Sequence, residues 1–177
     1  MVEYLTQAVV LNYRPQREND RLVDLYTKDF GRLEAKVIGG RRILSKLAPH
    51  LDWFNLVTVR LVEKNQFTVT DVLTKERFGR ERRNPGFYPS ALKIFSLVRT
   101  LIPLAAPDLH LWHFLVTGLK ESGGNVGTLL KIFGYDPEHA SCDTCRKRPV
   151  AAFRAKDQSF FCHDCGFKAG AVELIYF

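Results

Sequence analysis

Long apolar runs are missing from this sequence. No stretch approaches the roughly 20 consecutive apolar residues that a membrane span requires. Met1 to Tyr13 lacks the basic start of a secretory signal, and Ala8-Val9-Val10-Leu11 is too short for its apolar core. A soluble, cytoplasmic protein with no membrane partner is expected. Signatures of catalysis are missing too. There is no G-x-x-x-x-G-K-[ST] phosphate loop and no G-x-S-x-G nucleophile elbow. Nor is there the H-x-E with P-C-x-x-C pattern of zinc deaminases, since Ser141 precedes Cys142. Repeats and low-complexity segments do not occur. With 177 residues, 46% of them hydrophobic, the chain buries one or two modest cores, and no enzymatic activity is expected.

Cysteine is scarce and none is left over. The four present read Cys142-x2-Cys145, sixteen residues, Cys162-x2-Cys165. That spacing suits one structural zinc ion per chain held by four thiolates, each x2 turn bringing two sulfurs to about 2.3 Å from the metal. Two vicinal disulfide pairs, or one redox-active Cys-x-x-Cys, are the competing readings, and the βαβ context of a redox motif is missing. Zinc here implies a reducing compartment. His139, shortly before Cys142, and His163, between two ligands, are the possible substitute ligands. Gly166 is expected to free the backbone to point amides at thiolate sulfur.

Negative charge is the minority sign: 26 Lys/Arg stand against 19 Asp/Glu, a net +7. Residues 1–87 hold 16 basic and 11 acidic side chains, residues 88–140 four of each, and residues 141–177 six and four. The positive excess therefore lies at the two ends, around a neutral middle. Acidic partners are expected, nucleic acid first among them.

Period-two alternation governs the front of the chain. Strands are expected over Tyr4–Tyr13, Asp20–Thr27, Phe30–Ile38, around Val57–Leu61 and over Phe67–Leu73. A loop is expected at Arg14–Asn19 and one helical turn within Ile43–Leu51. Five strands in about 70 residues suit a small closed barrel, of OB or SH3-like type. Lys75 to Pro89, with Arg77, Arg80, Arg82 and Arg83, is either a solvated connector or a nucleic-acid contact. Helical periodicity follows from Ala91 to Ile102, capped by Ser90 and closed by Pro103 and Pro107. Asp108 is the expected N-cap of Leu109–Lys120, a helix either buried on most sides with Trp112 in the core or presenting Trp112 and its neighbours as a docking groove for a partner. Gly123-Gly124 ends it. His110 and His113 are expected to pack. Asn125–Phe133 is a third helix with Gly134 at its C′ position. Val150–Phe153 and Ser159–Cys162 form a hairpin between the cysteine pairs.

Three stretches resemble the RecO family of bacterial DNA repair and recombination proteins. They are Asp20-Arg21-Leu22-Val23 through Thr27 with Phe30-Gly31-Arg32-Leu33; Gly39-Gly40-Arg41-Arg42 through Ser45-Lys46-Leu47; and Leu129-Leu130-Lys131-Ile132-Phe133-Gly134 before the first cysteine pair. The resemblance runs in order along essentially the whole chain, although the helical region is short for the family. It implies an α+β protein with an N-terminal five-stranded OB-fold (1–75), a basic connector (76–87), and a small helical middle domain (88–140). A four-cysteine zinc ribbon packed on the helices (141–168) and a C-terminal segment (169–177) complete it. It also implies a non-enzymatic recombination mediator, nucleoid-associated, that binds single- and double-stranded DNA and anneals complementary strands. With RecR, such a protein helps load RecA onto DNA coated by single-strand binding protein, whose acidic C-terminal tail it engages. A protein-docking adaptor and a zinc-ribbon RNA-binding factor are the alternatives.

The residues expected to meet DNA are Arg14, Arg17, Arg32, Lys36, Arg41, Arg42 and Lys46, because cationic side chains neutralise phosphates and release counterions. Arg41, Arg42 and Lys46 form the best cluster, as no acid interrupts them. Tyr4, Tyr13, Tyr26 and Phe30 are either barrel core or base-stacking faces.

Overall fold

Alternating apolar residues fold the front of the chain into five strands. They are β1 (Val2–Gln16), β2 (Asp20–Thr27), β3 (Gly31–Val37), β4 (Leu56–Glu63) and β5 (Phe67–Glu76). The computed structural model describes residues 2–79, 81–121, 124–169 and 173–177. Arg80 and Gly123, placed by sequence in the connector and at a helix break, lie outside the described residues. The strands close in the order β1-β2-β3-β5-β4. The seam is a short parallel pairing of β3 with β5, Ala35 opposite Phe67 and Lys36 opposite Thr68; every other pairing in the barrel is antiparallel. This is the OB-fold, which resolves the choice that alternation alone left open.

Two features of β1 differ from expectation. It continues through Arg14-Pro15-Gln16, which pair with Leu22, Arg21 and Asp20, so the expected loop shrinks to Arg17–Asn19. Beyond Val10, which still bonds the Phe54 and Asn55 backbone, β1 is paired only with β2, and Pro15 is tolerated there because one side of the strand has no ladder to interrupt. Both faces of β1 are also buried. Ala8 and Val10 point into the barrel, whereas Val9 and Leu11 join an outer cluster with the helices. The register slips between Val10 and Asn12, leaving Leu11 unpaired.

No regular helix forms within residues 43–51; a single helical turn closes at its end, Leu51 N–H donating to Leu47 O at 3.3 Å across Pro49 rather than before it. The segment from Ile38 to Asn55 is a series of turns, in which Ile43 and Leu44 have no apolar surface to pack on. The connector is solvated only in part: Arg77 and Arg83 are exposed, but other residues are anchored. Phe78 is buried, Glu81–Arg83 make one 3-10 turn, and the Arg82 guanidinium donates to the Trp53 carbonyl and to Asn55 Oδ1, each at 2.8 Å.

Helix α1 (Phe87–Leu101) starts before the expected Ser90 cap. Pro89 fits its first turn, where a backbone N–H has no acceptor anyway. Helix α2 (Leu109–Lys120) is capped as expected, Asp108 accepting from the His110 and Leu111 amides. Helix α3 (Val126–Ile132) starts at Asn125, whose side chain accepts from Thr128 N–H. It ends in a Schellman motif: Gly134 (φ +85°) donates to Lys131 O and Tyr135 to Leu130 O. Trp112 is core. His110 and His113 are exposed, not packed, because α2 turns that face to solvent. Among the described residues no helix is long and apolar enough to cross a membrane.

The last segment carries more structure than expected. Strands β6 (Ala152–Arg154) and β7 (Ser159–Phe161) form the hairpin, and β8 (Leu174–Tyr176) adds a third strand beside β6. A short helix α4 (His163–Ala169) opens at the second cysteine pair. One apolar cluster unites the outer barrel face (Val9, Leu11, Tyr26), helices α1, α2 and α3, and Val150, Phe153 and Phe160 of the cysteine module.

Candidate metal centre and nucleic-acid interface

The two cysteine turns converge. The four Sγ atoms of Cys142, Cys145, Cys162 and Cys165 lie within 4.8 Å of one another, and Cys145 and Cys162 are 3.6 Å apart. A tetrahedral ion with sulfur at about 2.3 Å needs sulfurs about 3.8 Å apart, so this donor set fits zinc. All four cysteines are free rather than disulfide-bonded.

Backbone bonds set each turn. Arg146 N–H donates to Cys142 O at 2.8 Å and Gly166 N–H to Cys162 O at 2.9 Å. Asp143, between the first two cysteines, stitches its turn to β7: its amide donates to Phe160 O, and Phe160 N–H donates to its Oδ2 at 2.8 Å. Sequence reasoning passed over Asp143, although an Asp inside a tight turn is a familiar backbone acceptor.

Burial works against the Cys142 thiolate, but amides of Cys162, Cys145 and Thr144 aimed at its sulfur hold its pKa down to about 6. The Cys165 thiol is pushed up to about 12 by its hydrogen bonds with Cys145 and Cys162 and by burial. One thiolate forms readily and a further one is opposed, which is what crowding four acids into one site produces without a cation. Gly166 serves a different purpose from the one expected. Its amide donates to Cys162 O, and a Cβ there would sit 3.1 Å from the Tyr176 hydroxyl, so its smallness gives that ring room. The histidines are no substitutes: His139 bonds Asp136 at 2.7 Å, and His163 is exposed.

The seven basic residues divide into two groups. Arg32 is turned inward, its side chain 16% exposed. It makes a two-pronged pair with Asp24 at 3.1 Å and donates to the Arg99 and Ile102 carbonyls. Lys36, 17% exposed, is paired with Asp20 at 2.8 Å. Both hold the fold and are not placed to meet a phosphate. Arg14 is exposed but forked onto Glu34.

Arg17, Arg41, Arg42 and Lys46 remain, all exposed and, among the described residues, without a carboxylate partner within an ion-pair distance. They are neighbours. Arg41 Nη1 donates to Arg17 O at 3.1 Å, and the Arg41 amide donates to Asn19 O, tying the β3–β4 loop to the β1–β2 turn. Arg41, Arg42 and Lys46 line an open depression of about 940 Å³ together with Ile43 and Leu44. Of the aromatic candidates, Tyr26 is fully buried, its hydroxyl held by the Asp108 backbone, so it offers no base a face. Tyr4 and Phe30 pack edge-to-face at 4.9 Å. Tyr13 lies under the Arg21 guanidinium and beside Trp53.

Residues 1–75 match the family described as Recombination protein O N terminal. The chain is similar to three proteins named DNA repair protein RecO. That of Rhodopirellula baltica is 27% identical over 182 residues, covering 89% of this chain and 65% of the relative. That of Syntrophobacter fumaroxidans is 31% identical over 152 residues, covering 79% and 60%. That of Myxococcus xanthus is 29% identical over 186 residues, covering 96% and 75%. The chain thus spans between 60% and 75% of the length of these relatives.

Proposed function

We propose that this chain, which carries the RecO N-terminal domain and is RecO-like over most of its length, is a DNA-binding recombination mediator in DNA repair. Its work is binding, not bond-breaking. The observation that carries the reading is the Arg17–Arg41–Arg42–Lys46 group, projecting from one end of an OB barrel with no carboxylate drawn onto it among the described residues. Cations so placed attract the phosphate backbone of either strand regardless of sequence. Two strands held on one basic surface repel each other less, and complementary bases can pair.

Zinc, bound by Cys142, Cys145, Cys162 and Cys165, is a structural ion in this proposal. Four thiolates leave no open position for water or substrate, and in small modules the binding supplies about 10–16 kcal/mol of apparent folding free energy. The family likeness supports the rest: action in the cytoplasm with RecR to load RecA, and engagement of the acidic tail of single-strand binding protein.

Anisotropy with labelled oligonucleotides across a salt series tests the core of this. Binding is expected to weaken steeply as salt rises. The combined change of Arg41, Arg42 and Lys46 to Ala should flatten the slope by about two, at roughly 0.7 per single-strand phosphate. An affinity indifferent to salt contradicts the proposal. An annealing assay with and without single-strand binding protein separates a mediator from a simple DNA binder.

A further inference from the structure

The tip of the β3–β4 loop is built against ordinary turn chemistry. Ser45 N–H donates to Arg42 O at 3.0 Å, so Ile43 and Leu44 are the two corner residues of a tight turn. Such corners normally take Gly, Pro, Asn, Asp or Ser. Here they hold two branched aliphatics that are 101% and 91% exposed. Ile and Leu projecting side by side, fully in water and uncovered by any of the described residues, point to a contact site rather than a packing accident.

The turn is also held firmly. Before it, Gly39 N–H donates to Asp20 Oδ1 at 2.9 Å, Arg41 N–H to Asn19 O at 2.9 Å, and Arg42 N–H to Gly39 O at 3.0 Å. After it, Ala48 N–H donates to Ser45 Oγ. Little conformational entropy remains to be lost when the tip meets its target.

The flanking charge says what the target is. Arg41 and Arg42 precede the aliphatic pair, Lys46 follows it, and no acidic side chain lies between Asp29 and Asp52 except Glu34, which is engaged by Arg14. Apolar tips framed by unpaired cations match a polymer whose anionic backbone alternates with apolar faces that can be parted. Proteins that unstack nucleic acids insert Ile, Leu, Phe or Met between base steps while basic side chains hold the neighbouring phosphates.

We propose that Ile43 and Leu44 form a wedge that enters between adjacent bases of the bound DNA strand, with Arg41, Arg42 and Lys46 on the phosphates to either side. This rests on the DNA-binding reading above and adds a mode of engagement. A strand unstacked at the loop has bases turned free of their neighbours, in the state from which pairing with a second strand starts.

The test uses a single strand carrying 2-aminopurine, whose emission rises when the base is unstacked, with binding scored separately by anisotropy. The full chain should raise the emission on binding. The double variant Ile43→Ser with Leu44→Ser should bind within about threefold of the parent at low salt, where phosphate contacts dominate, yet lose the rise. Both residues are solvent-exposed, so an unaltered thermal midpoint and metal content show that the variant is folded; the single variant Leu44→Ser should give an intermediate rise. A double variant that keeps the full rise overturns the wedge. So does a parent that binds without any rise, while leaving the DNA reading intact. A parent that does not bind overturns both. Association of the parent with phosphatidylglycerol vesicles, lost in the double variant while the 2-aminopurine signal persists, would overturn the wedge in favour of a membrane contact.

Discussion

Asp24 of β2 and Arg99 of α1, 75 residues apart, meet at 3.0 Å across the seam between barrel and helices. Arg32 binds the same carboxylate from β3 and carries its remaining donors to the Arg99 and Ile102 carbonyls at the end of α1. One buried acid thus gathers two arginines from different elements and aligns the helices on the barrel. Asp24→Ala leaves two cations facing a void, and removing one member of a largely buried pair costs about 3 kcal/mol. Urea denaturation should show that loss, with earlier proteolysis between residues 76 and 110.

Arg32 and Arg42 make opposite predictions despite their shared chemistry. Arg32→Ala should lower stability while the folded fraction keeps its DNA affinity. Arg42→Ala should leave stability within about 0.5 kcal/mol, yet weaken binding to all sequences alike and reduce the single-strand salt slope by roughly 0.7. Thermal melts and a salt series, measured on both variants, check the pair together.

Gly31 lies at the same seam. Its φ is +66°, and an added Cβ would overlap the Ala106 carbonyl group and Pro107 N. Both the left-handed backbone and the close approach oppose any side chain there. Gly31→Ala is expected to cost more than about 1 kcal/mol, the range for Ala forced into positive φ, because the 104–107 segment must also shift. Comparison of chemical denaturation midpoints tests it.

The pH response has an assignable part. The Lys36 ammonium, then the Gly39 amide, hold the Asp20 carboxyl below the usual carboxylate range. Its folded pKa is depressed, so its contribution to stability is complete above the unfolded value of about 3.9 and fades as pH falls through the lower folded one. The stability gap between parent and Asp20→Asn should therefore be constant from about pH 7 to pH 5 and close below about pH 4. A gap that widened on acidification would contradict the pairing.

Metal removal should act unevenly. Elemental analysis should find one zinc per chain, and a strong chelator should unfold the cysteine module. Phe153 and Phe160 share the outer cluster with the helices, so near-ultraviolet circular dichroism should change. The barrel interior, a separate cluster that includes Val10, Leu25 and Val59, should keep its β signal. Asp143→Ala, which removes the acceptor for Phe160 N–H, should weaken zinc retention about tenfold, within the range of outer partners of metal ligands.

Where local chemistry dominates, residues and structure agree closely. β2 spans Asp20–Thr27 as expected, β3 alternates through Leu33, Ala35 and Val37, α2 begins after the Asp108 cap, α3 ends before Gly134, and the four cysteines meet. The departures occur where long-range contacts prevail. β1 runs on through a proline because β2 alone flanks it, and α1 starts at Phe87, whose ring is buried against Phe54. The β8 strand forms by pairing with β6, Ala152 opposite Tyr176, which no local signal announces.

By itself, the order of residues determined five strands, the caps of two helices and a four-thiol ligand set, since strand patterning, caps and cysteine spacing act over a few neighbours. Only the tertiary structure decided which cations remain available. Arg32 and Arg42 are ten positions apart in the same basic stretch, and although Glu34 lies near Arg32 in sequence, the acid that in fact engages Arg32 is Asp24 of the neighbouring strand. Asp24, Asp20 and Glu34 reach their partners across strands, so ion pairing between elements removed Arg32, Lys36 and Arg14 and left Arg17, Arg41, Arg42 and Lys46 facing solvent.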